Sequence, residues 1–243
     1  MQTEIININH RTMIPKILQD ITIWLKKYNI KISDAIEGEA RGGSLKDEGS
    51  IKKALWNSPY KDRVFDEKAR RCGDMTVKDY NGDIHVVNIK TSLGGTDNCF
   101  SKSGIVYALT DIKVNELPKS MNYMKMNELI QNHKADIPQK DYWFLCVNKK
   151  NSSEILVRGA KQIDNWVINI NPSNVLQINW KKEKKCKPVE RTWDEAYTTI
   201  IGGAKQSLNR FWNNVPNEWK TDEINTGFLF APNGMWYDKI TLK

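Results

Sequence analysis

Tyr80-Asn81-Gly82-Asp83 lies between two runs rich in β-branched residues, Met75-Thr76-Val77 and Ile84-His85-Val86-Val87-Asn88-Ile89. Asn-Gly between such runs suits a tight turn whose central residues take positive φ, so the chain is predicted to double back here as a β-hairpin. The hairpin constrains more than local shape. It sets Asp74, at the start of the first strand, beside Asn88-Ile89-Lys90 at the end of the second, although thirteen residues separate Asp74 from Asn88. Alternation along the second strand puts Asn88 and Lys90 on one face and turns Ile89 into the core.

An oxygen ligand from one strand thereby meets an oxygen ligand and an ammonium from the next. Hydrolysis of a phosphodiester needs such a group. Mg²⁺ takes oxygen ligands in an octahedral shell and keeps several waters. It polarises a phosphate and lowers the pKa of bound water towards neutrality. A lysine alongside stabilises the developing charge or positions the attacking hydroxide. Asp74 and Asn88 are the expected metal ligands, and Lys90 is the matching cation.

Asp74…Asn88-Ile89-Lys90 resembles the Asp…(Asp/Glu)-x-Lys signature of the PD-(D/E)xK nucleases. Thr91-Ser92 after it looks like the strand ending of the EcoRV-like and HincII-like branch of type II restriction endonucleases. The resemblance covers roughly residues 35 to 105. It implies a restriction-endonuclease-like α/β fold, with a central mixed sheet flanked by helices. It also implies Mg²⁺-dependent cleavage of double-stranded DNA at a short palindromic site by a homodimer. A cognate DNA methyltransferase would be the protecting partner. In such relatives an acidic residue on an early helix supports the site. Here Glu37, Glu39 and Glu48 are the candidates, with Glu39 in a Glu37-Gly38-Glu39-Ala40-Arg41-Gly42-Gly43 segment that looks like the family's glycine- and alanine-rich stretch.

The chain departs from the signature twice. Gly73 stands where the motif has proline, and Asn88 stands where it has a second acid. An amide oxygen can ligate a metal but brings no charge. At an effective dielectric near 20, a charge lost at about 4 Å removes roughly 4 kcal/mol of attraction before desolvation. Three explanations stay open: a family that uses Asn naturally, compensation by a carboxylate such as Glu39 or Asp97, and an introduced change of Asp to Asn.

Around the hairpin, the spacing of Ile14, Ile17, Leu18, Ile21, Trp24 and Leu25 predicts an amphipathic helix between Met13 and Tyr28, with Pro15 in its first turn. A polar, glycine-bearing stretch from Asp34 to Gly49 leads to a short helix, Ser50 to Trp56, ended by Asn57-Ser58-Pro59. Leu93 to Asn98 reads as a loop, Gly104 to Leu109 as an apolar segment of open type, and Met121 to Gln131 as a helix. Strands are expected at Asp141 to Val147, Glu154 to Arg158 and Trp166 to Ile170, and Lys181 to Lys187 as a basic loop. Thr192 with Glu195 matches a capping box that opens a last helix through Trp212, with Gly202-Gly203 inside it. No repeat or long linker divides the chain, so residues 1–243 are read as one mixed α/β domain with its catalytic hairpin at about 73–92.

The formal charge of +8 and pI near 9.2 permit a polyanionic partner without requiring one. Recognition elements are expected in 95–102 and 145–190. Thr91, Ser92, Asp97, Asn98, Ser101 and Lys102 follow the catalytic strand closely enough to reach the scissile strand. Asn151 is a candidate reader of base edges, and Lys181 and Lys182 are candidate phosphate contacts, though such a lysine run also suits a solvated face. The tryptophans, Trp24, Trp143 and Trp166 among them, fit core or dimer-interface positions. His10, His85 and His133 have no metal-ligand spacing.

Cys72, Cys99, Cys146 and Cys186 lie far apart and read as reduced thiols. No apolar run is long enough for a bilayer span and no secretory signal opens the chain, which points to a cytoplasmic protein with no membrane partner. Two other readings share the charge and the motif: a repair or junction-resolving nuclease, and a non-catalytic DNA-binding protein on a nuclease fold.

Overall fold

In a computed structural model, residues 13–28, 30–33, 40–67, 72–137, 139–168, 175–213, 228–230 and 236–238 are described. Helix α1 (Lys16–Lys27) buries Ile17, Leu18, Ile21 and Leu25, the stripe expected from their spacing. Helix α2 (Ala40–Trp56) begins ten residues earlier than its apolar pattern suggested, running through Gly42, Gly43 and Gly49. Tertiary packing thus overrides weak local propensity there. Strand β1 (Val64–Asp66) has only three residues and carries no readable period.

Strands β2 (Met75–Lys78) and β3 (Ile84–Ser92) form the expected hairpin. Its turn is organised by Asp79, whose Oδ1 accepts hydrogen bonds from the backbone N–H groups of Asn81 and Asp83. Gly82, at φ 98°, supplies the left-handed backbone. Strand β4 (Thr96–Phe100) corrects the reading of residues 93–98 as a loop. The apolar segment after it is helix α3 (Lys102–Leu109), capped by Ser101, and helix α4 (Tyr123–Asn132) follows.

Strands β5 (Tyr142–Asn148) and β6 (Asn151–Gly159) form a second hairpin. Then come β7 (Trp166–Ile168), β8 (Leu176–Asn179) and helix α5 (Trp180–Glu183), which replaces the start of the expected basic loop. Helix α6 (Trp193–Asn213) starts at its capping box, where Glu195 Oε2 accepts from Thr192 N and Thr192 Oγ1 from Glu195 N.

The main sheet has the order β1-β2-β3-β5-β6, and a second sheet has the order β4-β8-β7. β3 pairs antiparallel with β2 and parallel with β5. A parallel neighbour requires a crossover, and the chain between β3 and β5 contains α3 and α4. The protein is therefore mixed α/β, with helices packed on a central mixed sheet.

Two cores lie on the two sides of that sheet. One joins Val87, Ile89, Trp143 and Leu145 to α1 and α2, and the other joins Val86, Tyr142 and Phe144 to α3, α4, α6 and the second sheet. Because β3 is central, its alternation separates one core from the other rather than core from solvent. Among the described residues, no helix is long and apolar enough to cross a membrane.

Candidate active site

The β2–β3 ladder ends at Met75 paired with Val87, and Asp74, the residue before it, donates its N–H to Val87 O at 3.0 Å. Gly73 makes this approach possible. Its φ is 86°, which proline cannot adopt, and a Cβ there would meet Val86 Cγ1 at 2.5 Å and Val87 O at 3.1 Å. The first departure from the motif thus has a steric reason.

The Asp74 carboxylate is held against β3, with Oδ2 accepting from Ile89 N at 2.7 Å. Burial lifts its pKa above the ordinary range; Lys90 pulls the other way, and the charge of Glu48 adds to the rise. Asn88 is 9 % exposed and faces the aromatic core, where its Nδ2 donates to Tyr142 Oη at 2.8 Å. That bond engages Nδ2 and leaves Oδ1 buried without a partner among the described residues. A buried acceptor with no donor costs about 1–3 kcal/mol unless something fills it. Half-buried Lys90 makes no hydrogen bond or ion pair among the described residues.

These groups suit a hard cation and an anionic substrate. Asn88 Oδ1 and the Asp74 carboxylate offer oxygens, and Lys90 offers a charge not committed elsewhere. Among the described residues, no three Asp, Glu, His or Cys side chains gather as a ready-made metal cage. A Mg²⁺ ion needs no such cage, since one or two carboxylates with substrate oxygens and water complete its shell.

Of the three supporting acids, Glu37 and Glu39 lie outside the described residues, while Glu48 on α2 is close enough to act on Asp74. Sequence reasoning missed its partners. Lys52 Nζ lies 2.7 Å from Glu48 Oε1 and 2.6 Å from Asp66 Oδ1 at the edge strand. The Glu48-to-Lys52 spacing of four was the available signal. The neighbouring Asp47 is fully buried, accepting from Ser33 N, Thr91 Oγ1 and Lys149 Nζ. It ties α2 to the end of β3 and to the turn after β5.

Several expected DNA contacts have architectural partners instead. Thr91 bonds Asp47, Ser92 is buried and accepts from Gly94 N, and Ser101 caps α3. Lys102 sits 4.4 Å from the Tyr123 ring centre, and Asn151 Oδ1 shapes its own turn by accepting from Ser153 N. Asp97 and Asn98 have strand backbone, but their side chains lie outside the described residues, as do residues 169 and 170 at the end of the strand expected from Trp166.

Lys181 and Lys182 are exposed on α5, and Trp180 N donates to Gly95 O, so the basic segment is fastened to the loop leaving β3. Beside it opens a cleft of about 440 Å³, edged by Lys26, Ser92, Asn148, Lys184 and Lys185 over Ile155 and Trp180. Trp143 is core and Trp24 half-buried; His85 and His133 pair with Asp79 and Asp111, and His10 lies outside the described residues. Cys72, Cys146 and Cys186 are free thiols, and the Cys99 side chain is not among those described. Set against known proteins, the chain matches no family model and no curated sequence.

Proposed function

We propose that this protein is a metal-dependent nuclease of the restriction-endonuclease type, cutting double-stranded DNA at a short palindromic site as a homodimer. The observation that carries the reading is the Asp74–Asn88–Lys90 group: a carboxylate held by Ile89 N, an orphaned buried amide oxygen, and an uncommitted ammonium at adjoining strand ends. The β1-β2-β3 meander, helical crossover and parallel β5 are consistent with the fold that the motif implies.

Asp74 and Asn88 Oδ1 would hold Mg²⁺, which supplies Lewis acidity towards the scissile phosphate. Lys90 balances charge on the phosphoryl oxygens as it builds. Lys181 and Lys182 neutralise flanking phosphates, and two copies related by a two-fold axis match the two strands of a palindrome.

Incubation with phage DNA and Mg²⁺ should give discrete fragments. A smear, or no cleavage by both the protein and its Asn88→Asp variant, rejects the site-specific nuclease. Asn88 itself favours one second reading, a DNA-binding protein on a nuclease fold without catalysis. That reading predicts tight binding unchanged by Lys90→Ala and no cleavage with any metal. A neighbouring DNA methyltransferase gene would favour the restriction enzyme.

A further inference from the structure

Lys52 is shared between two acids that differ in position. Its Nζ lies 2.7 Å from Glu48 and 2.6 Å from Asp66, with its side chain 11 % exposed against 25 % for Glu48 and 53 % for Asp66. A buried ammonium left without a partner is costly, so Lys52 must keep at least one of them. Asp66 is the more exposed acid and lies opposite Met75, the residue after Asp74, so the Lys52 bridge brings Glu48 to the strand end that carries Asp74, whose carboxyl feels its charge. The centre meanwhile lacks the second negative charge that Asn88 withholds. A cation at Asp74 and Asn88 would therefore draw on the next carboxylate within reach.

We propose that Lys52 is a latch for Glu48: a divalent cation at Asp74–Asn88 draws the Glu48 carboxylate from Lys52, and Asp66 retains the lysine. The inference rests on reading Asp74–Asn88 as a cation site. It assigns Asp66, a residue outside the motif, a positioning role in cation binding. Without Asp66, releasing Glu48 would strand Lys52, so the cation would bind less well. Without Lys52, Glu48 would already be free, so the cation would bind better. Through-space charge alone gives the same signs, so the latch is told apart by coupling: once Lys52 is gone, Asp66 has nothing to retain and its replacement should no longer matter.

The test is Mn²⁺ binding to the full chain, followed by calorimetry or by loss of the free-ion electron paramagnetic resonance signal, without DNA. Glu48→Gln and Asp66→Asn should each weaken binding about fivefold, and Lys52→Met should tighten it by a similar factor. In the Lys52→Met background Asp66→Asn should change nothing, and if Lys52→Met does not fold, Lys52→Gln takes its place. Mn²⁺ affinity unchanged by Asp66→Asn, unchanged by Glu48→Gln, weakened by loss of Lys52, or still lowered by Asp66→Asn once Lys52 is replaced overturns the latch while leaving the cation site standing. No Mn²⁺ bound by either the protein or its Asn88→Asp variant overturns the cation site and the latch with it.

Discussion

Two polar groups in this molecule are finished in opposite ways. Beside the second sheet, Arg158 and Glu183 form a buried pair at 3.3 Å. Arg158 Nη1 and Nη2 donate to Val157 O and Cys186 O, and Glu183 Oε2 accepts from Asp164 N, Asn165 N and Asn165 Nδ2. At the hairpin ends, Asn88 Oδ1 and Lys90 Nζ have no such partners among the described residues. Saturation marks a group whose work is architectural, here pinning α5 to β6. Unsaturated polar groups inside a fold cost stability and persist where a ligand completes them.

The largest expected break in that comparison is chemical. Lys90→Ala should lower DNA cleavage on the order of 10³-fold with little change in the urea midpoint, because among the described residues the lysine makes no hydrogen bond or ion pair and acts on Asp74 only through charge. A variant that cleaves normally, or that unfolds, would place Lys90 among the architectural charges. The reverse holds at the saturated pair. Glu183→Ala should cost about 3–5 kcal/mol in urea unfolding by stranding Arg158, and joint replacement of both by apolar residues should recover much of the loss. A loss below about 1 kcal/mol would show that the two groups do not differ in kind.

Asp141 sharpens the contrast, being fully buried yet bonded to Tyr142 N and Lys161 N. Burial raises its pKa to about 6 despite the opposing charge of Lys161 and the backbone bonds. A folded pKa above the unfolded value stabilises most below about pH 4, and the benefit is lost as pH rises through about 6. The difference in unfolding free energy between the protein and Asp141→Asn should therefore shift by about 2 kcal/mol between pH 4 and 7. Parallel curves would refute the assignment. Gly159 belongs to the same arrangement, since a Cβ there would collide with the Asp141 carboxyl. The smallest effect is expected outside both groups. Replacing exposed Lys181 and Lys182 by Ala should flatten the log–log salt dependence of DNA binding by about 2 and leave stability unaltered.

The hairpin, α1, α4 and the capping box of α6 were legible because each rests on local chemistry: an Asn-Gly turn, an apolar stripe, a Thr-to-Glu reciprocal bond. The early start of α2, the short β1, β4 and α5 were not, because pairing or packing with distant chain creates them. At the site, sequence alternation placed Asn88 and Lys90 together but could not show that both faces of β3 are buried.

What the sequence by itself determined is the register of β2 against β3, which follows from turn position alone and brings Asp74 to the strand that carries Asn88 and Lys90. Tertiary structure decided what those residues lack and what surrounds them. Tyr142, fifty-four positions away, meets the Asn88 amide, and Asp66 on β1 shares the Lys52 that Glu48 meets one turn along α2. Such partners depend on chain segments brought together by folding, where burial removes the water that would otherwise satisfy each group.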